Sequence, residues 1–532
     1  MMLKWNRHGI RCTAGVHVWA AGVGLLLASA PGFAQPTASP ERTLSVSFSA
    51  SAAKPVQQHV YGINCELLWW PLPYTHPSFI ARYQEAGRPI IRYPGGTPAN
   101  YFNPLTGLLE ERPGHERRAV NNARIRAKYG GKGHDYREFF RFVDTADAPY
   151  SLTLNLTTMT VEENIRWLEE LAAQGIRPRY FEMGNELYYN EYKDLIAGPD
   201  AYVQRSARLA AVIRRLFPGA RICAILPSDP YSKVEFLETD KRAGKDTGPY
   251  DRWRAALKRA DFFDAVALHV YSEYGMPGNI KEADYWPFER AYRYAMAQQD
   301  AQLIPFLEAT RRAFPGKPIW MTEYHLGGWT ASLRAYKLIE AYLGSLHSSA
   351  MLLKLAKHPA VEMANRHTFV AFMQWYDFDR ITNGLIPDEA PMSPNAHFHQ
   401  FRLIGEAIRA ARTVVAPELP GAGTYAGAPP RRGPFPDVEA AVFLAGTSGH
   451  IVLLNKMDTT YRLGAVVMDG RPVTLGGTVQ QGPRADLPVA QVVNGTRLEE
   501  IVLAEWPSPP ADFTLPPYSV TRIVFRANPQ LQ

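Results

Sequence analysis

The sequence predicts an α/β fold: a (β/α)8 TIM barrel with an accessory antiparallel β-sandwich domain. Three observations carry this. Eight strand-then-helix units follow one another in a single run from residue 57. Polar and carboxylate residues collect at the ends of those strands, where a barrel places its working groups. Beyond a Pro- and Gly-dense junction at 416–437 the pattern changes to short strands with turn signals and no convincing helix. A doubly wound open sheet is the rival for the first part, but the number of units and the polar strand ends favour the barrel.

In chain order, residues 1–34 read as an export signal. Lys4, Arg7 and Arg11 form a basic start, Val16 to Ala30 an apolar stretch, and Gly32-Phe33-Ala34 a small-residue cleavage site. The apolar stretch is short for a membrane span, so the mature chain is expected in the periplasm or outside the cell with no membrane attachment. Residues 43–56 begin with an alternating strand that joins the sandwich. The barrel occupies 57–415 and the sandwich 416–528.

The eight barrel strands are predicted over Val60–Glu66, Pro89–Tyr93, Ser151–Leu156, Arg179–Gly184, Arg221–Leu226, Ala265–Tyr271, Pro318–Glu323 and Thr368–Trp375. Helical patterns lie between them. In Val161–Gln174, Val161, Ile165, Leu168 and Leu171 share one face, Thr160 and Glu163 form a capping box, and Gly175 stops the helix. Asp135 and Glu138 make the same start signal for Tyr136–Asp144. Ala201–Leu216 repeats the apolar stripe. Sandwich strands are predicted at Val438–Leu444, His450–Leu454, Leu463–Met468, Val489–Val493, Arg497–Leu503 and Ser519–Phe525.

Composition narrows the function classes. The chain of 532 residues is 46% hydrophobic and 20% charged, ordinary for a globular protein, and its 27 Tyr and 11 Trp suit stacking on sugar rings. Without the three basic signal residues the net charge falls from +7 to +4, too mild to argue for nucleic acid. Cys12 leaves with the signal. Cys65 and Cys223 are left either as one disulfide or as two buried thiols.

The strand ends gather Glu66, Arg92, Asn155, Asn185, Glu186, His269, Tyr271, Glu323, Tyr324 and Trp375. Two carboxylates from strands four and seven thus sit among aromatics, amides and one arginine. Glycoside hydrolysis needs such a pair, one protonated for the leaving oxygen and one ionised. Glu186, beside Asn185 and before Tyr188, suits the acid. Glu323 suits the ionised role if Arg92 and Tyr271 reach it. His269 and Tyr271 are two apart on one strand and point to the same side. Asn185 and Glu186 are adjacent, so a strand end or bulge must aim both inward. Glu182 reads as a structural residue of the opposite phase or the barrel floor.

The EMGNE stretch, the WMTEY stretch and H-V-Y on strand six resemble the retaining glycoside hydrolases of clan A. RYPGG and LPPYSVTRIVF resemble the branch with a barrel plus a β-sandwich, which includes α-L-arabinofuranosidases, heparanase-like β-glucuronidases and β-xylosidases. The resemblance implies Glu186 as acid/base and Glu323 as nucleophile. It implies Asn185 on the 2-hydroxyl, Arg92 and Tyr271 orienting the nucleophile, Trp375 lining the subsite and Glu66 touching sugar. His269, Asn155 and Tyr324 complete the expected substrate-binding set.

The same resemblance implies no cofactor, and no zinc or calcium ligand pattern appears. The expected partner is an oligo- or polysaccharide of plant type or acidic character. Eight Lys or Arg between Arg112 and Arg137, against Glu116 and Asp135, read either as a solvated insertion or as a basic rim for a uronide. A carbohydrate-binding barrel without catalysis and a transglycosylase using the same residues are the alternative functions.

Overall fold

The computed structural model describes residues 41–65, 67–69, 73–111, 116–228, 248–272, 286–327, 342–368, 394, 396–427, 433–481, 502–506 and 512–527. Eight parallel strands close into a barrel: Gly62–Asn64, Ile90–Tyr93, Tyr150–Thr153, Tyr180–Met183, Arg221–Ile225, Ala265–Ser272, Ile319–Leu326 and Val361–His367. Each pairs with its sequence neighbour, and the last closes on the first through Asn365↔Gly62 to His367↔Asn64. Runs such as Ile222–Ile225 and Ala265–Val270 are buried along their length, as parallel strands covered on both faces must be.

The helices follow their local signals. Val161–Ala173 begins with the reciprocal Thr160–Glu163 capping box. Tyr136–Ala146 is capped by Asp135, which accepts from the Arg137 amide. Glu138 does not close a box there. It turns inward, buried, and accepts from the Thr75 amide. No helix among the described residues is long and apolar enough to cross a membrane.

The eighth strand corrects the sequence reading. It is Val361–His367, ahead of the predicted Thr368–Trp375, of which all but Thr368 lies outside the described residues. The run VEMANRH hid itself because four of its seven residues are polar. Each of them has a structural partner. Glu362 accepts from the Trp320 indole at 2.8 Å and pairs with Arg221. Asn365 donates to the Ile63 and Ile90 carbonyls at 3.3 and 3.2 Å. Arg366 donates to His325 and His397, and Asn64 donates to His367. Partnered in this way, the polar groups can be buried at little cost.

The accessory domain is a sandwich whose sheets share one long strand, Arg471–Gln481. One sheet sets Arg42–Phe48 parallel to Tyr461–Met468. The other runs through Thr413–Val415, Val438–Ala445, Ser448–Asn455, Ser519–Ala527, Arg471–Gln481 and Val502–Trp506. Thr413–Val415 therefore pairs into this sheet, although the sequence boundary put it in the barrel. The core between the sheets is Leu44, Val46, Val442, Leu453, Ile523 and their neighbours. The predicted strand Val489–Val493 lies outside the described residues. Cys65 and Cys223 are both buried, with no disulfide between them.

Candidate active site

Two backbone irregularities at the C-terminal ends of the barrel strands turn the chemical groups inward. On strand four, Gly184 and Glu186 both adopt positive φ, at 84° and 50°. A side chain in that region costs on the order of 1–3 kcal/mol and persists only when its surroundings fix it. Asn100 does the fixing: its Nδ2 donates to the Asn185 carbonyl at 2.7 Å and its Oδ1 accepts from the Asn185 amide at 3.2 Å. The turn lets adjacent Asn185 and Glu186 share the barrel mouth.

On strand seven the register against strand six jumps from Leu268↔Met321 to His269↔Glu323. Thr322 is thus the extra residue of a bulge, and Thr322 and Glu323 both reach the interior. Regular alternation would have sent one of them outward.

Arg92, fully buried on strand two, organises the cluster. Its Nε donates to Glu182 Oε2 at 2.5 Å, one terminal nitrogen to Glu323 Oε1 at 2.6 Å and the other to Asn185 Oδ1 at 2.7 Å. Glu323 also accepts from the Tyr271 hydroxyl and from Asn64 Nδ2, the latter at 3.3 Å. His269 Nδ1 lies 2.9 Å from Glu186 Oε1, and its Nε2 lies 3.0 Å from the Thr322 hydroxyl. That hydroxyl donates to Glu182 Oε1 at 2.7 Å, and Thr153 donates to Glu182 Oε2 at 3.0 Å. Glu182 Oε1 itself is 3.8 Å from the imidazole, so the link between them runs through Thr322.

Glu186 and Glu323 occupy opposite electrostatic environments. For Glu323 burial alone would raise the pKa, but His269, His367 and Arg92 together with the Tyr271 hydrogen bond outweigh it and hold the carboxyl at about 2. For Glu186 burial wins: its pKa is raised, with the Glu323 charge adding to the effect and His269 opposing it. His269 is pushed up to about 10, because the carboxylates Glu323, Glu182 and Glu186 overcome the burial that would lower it. One carboxyl beside a second that is already ionised is the arrangement that separates an acid from a base.

Of the residues expected at the site, Arg92, Asn185, Glu186, His269, Tyr271 and Glu323 come together. Asn155 does not offer itself to a ligand. Its Nδ2 donates to the Phe102 carbonyl and to Thr158, and its Oδ1 accepts from the amides of Thr157 and Thr158. It ties down the loop after strand three. Tyr324 is fully buried in the apolar core, on the face opposite Glu323, with Arg366 nearby. Glu66 and Trp375 lie outside the described residues.

Sequence reasoning missed Asn64, Asn100, Thr322 and His367 and under-read Glu182. Asn64 and His367 are strand ends, hidden by boundaries set two residues late on strand one and a whole strand late on strand eight. Thr322 was screened by alternation. Asn100 lies in the loop after RYPGG and carried no signal.

Glu186, His269 and Glu323 each place one oxygen or nitrogen within 4.8 Å of the others. That spacing would admit a cation. However, the buried Arg92 guanidinium and the imidazole engaged on Glu186 already supply positive charge there, so the set fits acid–base work better than metal ligation.

No protein-family model and no curated protein match the chain. Solved structures do. A family 51 α-L-arabinofuranosidase from Bifidobacterium longum aligns with a TM-score of 0.65 at 16% identity, over 92% of this chain and 100% of that one. The family 51 arabinofuranosidase from Xanthomonas axonopodis pv. citri gives 0.62 at 17% identity, over 91% and 100%. A family 44 xyloglucanase from Paenibacillus polymyxa gives 0.58 at 14%, over 92% and 100%. At these identities the likeness is one of fold, and it covers both domains: this chain has the barrel-plus-sandwich fold of the clan A glycoside hydrolases.

Proposed function

We propose that the protein is a retaining glycoside hydrolase acting by double displacement, with Glu186 as acid/base and Glu323 as nucleophile. The observation that carries this reading is the carboxyl pair on strands four and seven, with one oxygen of each within 4.8 Å of the other and opposite protonation environments. Retaining enzymes set the pair about 5–5.5 Å apart, whereas inverting ones leave about 6.5–9.5 Å for a water. The spacing supports direct attack on the anomeric carbon.

Glu323, ionised and oriented by Arg92, Tyr271 and Asn64, attacks that carbon while Glu186 protonates the departing oxygen. The glycosyl–Glu323 ester forms as the glycosidic bond breaks. Glu186, now a carboxylate, takes a proton from water, whose oxygen displaces Glu323 and regenerates both groups. Asn185 Nδ2 is buried with no hydrogen-bond partner among the described residues, a donor ready for a sugar hydroxyl.

For the substrate we infer a neutral glycoside, of the kind the arabinofuranosidase neighbours' names describe. Three of the eight cations of the basic stretch are engaged within the protein. Arg118 lies 3.3 Å over the Tyr101 ring, Lys128 Nζ donates to the Leu67 carbonyl at 3.0 Å, and Arg137 pairs with Asp135 and Glu170. A screen of nitrophenyl arabinofuranoside, xyloside, glucoside, galactoside and glucuronide tests the reading. Turnover of a neutral glycoside, insensitive to salt and abolished in Glu323→Ala, is expected. Full activity in that variant, or steeply salt-dependent activity on the glucuronide alone, would refute the corresponding part.

A further inference from the structure

Glu182 is the third carboxyl of the cluster, and neither the acid nor the nucleophile role uses it. It is fully enclosed, with Arg92 Nε, Thr153 and Thr322 on its two oxygens. Cys223 is its register partner on strand five. Burial alone would raise its pKa, but Arg92 and His269 outweigh it and keep it ionised. An ionised carboxylate only accepts hydrogen bonds, so the Thr322 hydroxyl must give Glu182 its single proton. The lone pair of that hydroxyl then faces His269, whose Nε2 must carry a hydrogen. Nδ1 is thereby left to serve Glu186 Oε1.

Among the described residues, Arg92 and His269 hydrogen-bond the three carboxyls Glu182, Glu186 and Glu323, so an ionised Glu182 takes up positive charge on which Glu186 would otherwise draw.

Resting on the reading of Glu186 as the acid, we propose that Glu182 is its positioning residue: it does not touch the sugar, but through Thr322 it fixes the Nε2 proton of His269, and as a buried counter-charge it leaves Glu186 as the carboxyl that keeps its proton. Replacing Glu182 by Gln removes one negative charge. Arg92 and His269 then act on Glu186 and Glu323 without that third charge, Glu186 ionises more readily, and His269 loses part of what holds its charge.

The test follows the His269 ring in the full chain labelled with ¹⁵N-histidine, its resonance located by its loss in His269→Gln. In the unaltered protein the ring should be doubly protonated at about pH 8, as a value near 10 requires. In Glu182→Gln the titration midpoint should fall by about 1–3 pH units. The alkaline limb of kcat/KM should fall with it on any glycoside that is turned over. Thr322→Val should move the midpoint the same way, and Thr322→Ser, which restores the hydroxyl, should bring it back. A folded Glu182→Gln whose His269 titrates as before would overturn the proposal. Should that variant not fold, an unmoved midpoint in Thr322→Val would do the same. The resonance is read without substrate, so a failure to find a hydrolysed glycoside counts against the proposed function and leaves this inference to its own measurement.

Discussion

Glu186 and Glu323 are the same residue type in one cluster, and their surroundings push their protonation in opposite directions. Glu323 carries hydrogen bonds from Arg92, Tyr271 and Asn64, while Glu186 has one imidazole contact and a half-buried side chain. From the sign of each shift, Glu323 is ionised at any pH above its value of about 2, and Glu186 must be protonated for the first step. In the proposed mechanism the alkaline limb of activity therefore belongs to Glu186. Glu186→Ala should lose on the order of 10²–10⁴-fold on alkyl glycosides, which need the proton. It should lose far less in the first step on a dinitrophenyl glycoside, whose leaving group departs without one. It should also flatten the alkaline limb. Equal losses on both substrates in steady-state and pre-steady-state assays would remove Glu186 from the acid role. Both glutamates were legible because each ends an apolar run. Glu182 and Thr322 were not, because their inward aim depends on a bulge and on a buried counter-charge that one-dimensional alternation cannot encode.

Among the elements, the closure between strands eight and one leaves no room for a side chain at Gly62. Gly62 is forced there by close approach rather than by a turn. A Cβ at Gly62 would lie 2.6 Å from the Ala364 carbonyl oxygen, 2.6 Å from Ile90 Cγ2 and 2.7 Å from Asn365 Nδ2. Two of these atoms belong to strand eight and the third to strand two, so the strain cannot relax without opening the seam. Gly62→Ala should cost about 1–3 kcal/mol in chemical denaturation, and it should displace Asn64 from Glu323. An unchanged midpoint would show that the seam has slack. Seven strands were readable as apolar runs to within a few residues. Strand eight was not, because Glu362, Asn365, Arg366 and His367 are polar residues, half-buried or buried, whose partners lie far away in sequence, and a pattern that weighs only apolarity passes over them.

Across the molecule, barrel and sandwich are locked by a buried ionic knot. Glu439 of the sandwich pairs with Lys354 at 2.6 Å and Lys357 at 2.5 Å on the barrel helix Tyr342–Lys357, and Lys456 stands 3.7 Å away. Asp300 takes a second contact from Lys354 at 2.6 Å. Burial would raise the pKa of Glu439, but the three lysines pull it well below the usual range. A depressed carboxylate adds stability that is present above its unfolded value of about 4.3 and lost as pH falls towards the folded one. Glu439→Gln should therefore lower the unfolding free energy at pH 7 by about 3–5 kcal/mol, because it strands buried ammonium groups. It should also remove part of the acid lability below about pH 4. A variant as stable as the parent at pH 7 would show the knot to be neutral. Nothing in the sequence joined Glu439 to Lys354, since the contact exists only once the two domains dock.

The central claim is that these parts serve a double displacement, and the anomeric configuration of the first-formed sugar tests it most directly. Proton NMR during hydrolysis of the best substrate should show the anomer of the starting glycoside appearing first, before mutarotation. The opposite anomer appearing first would contradict the account and turn Glu323 from nucleophile into a base for water.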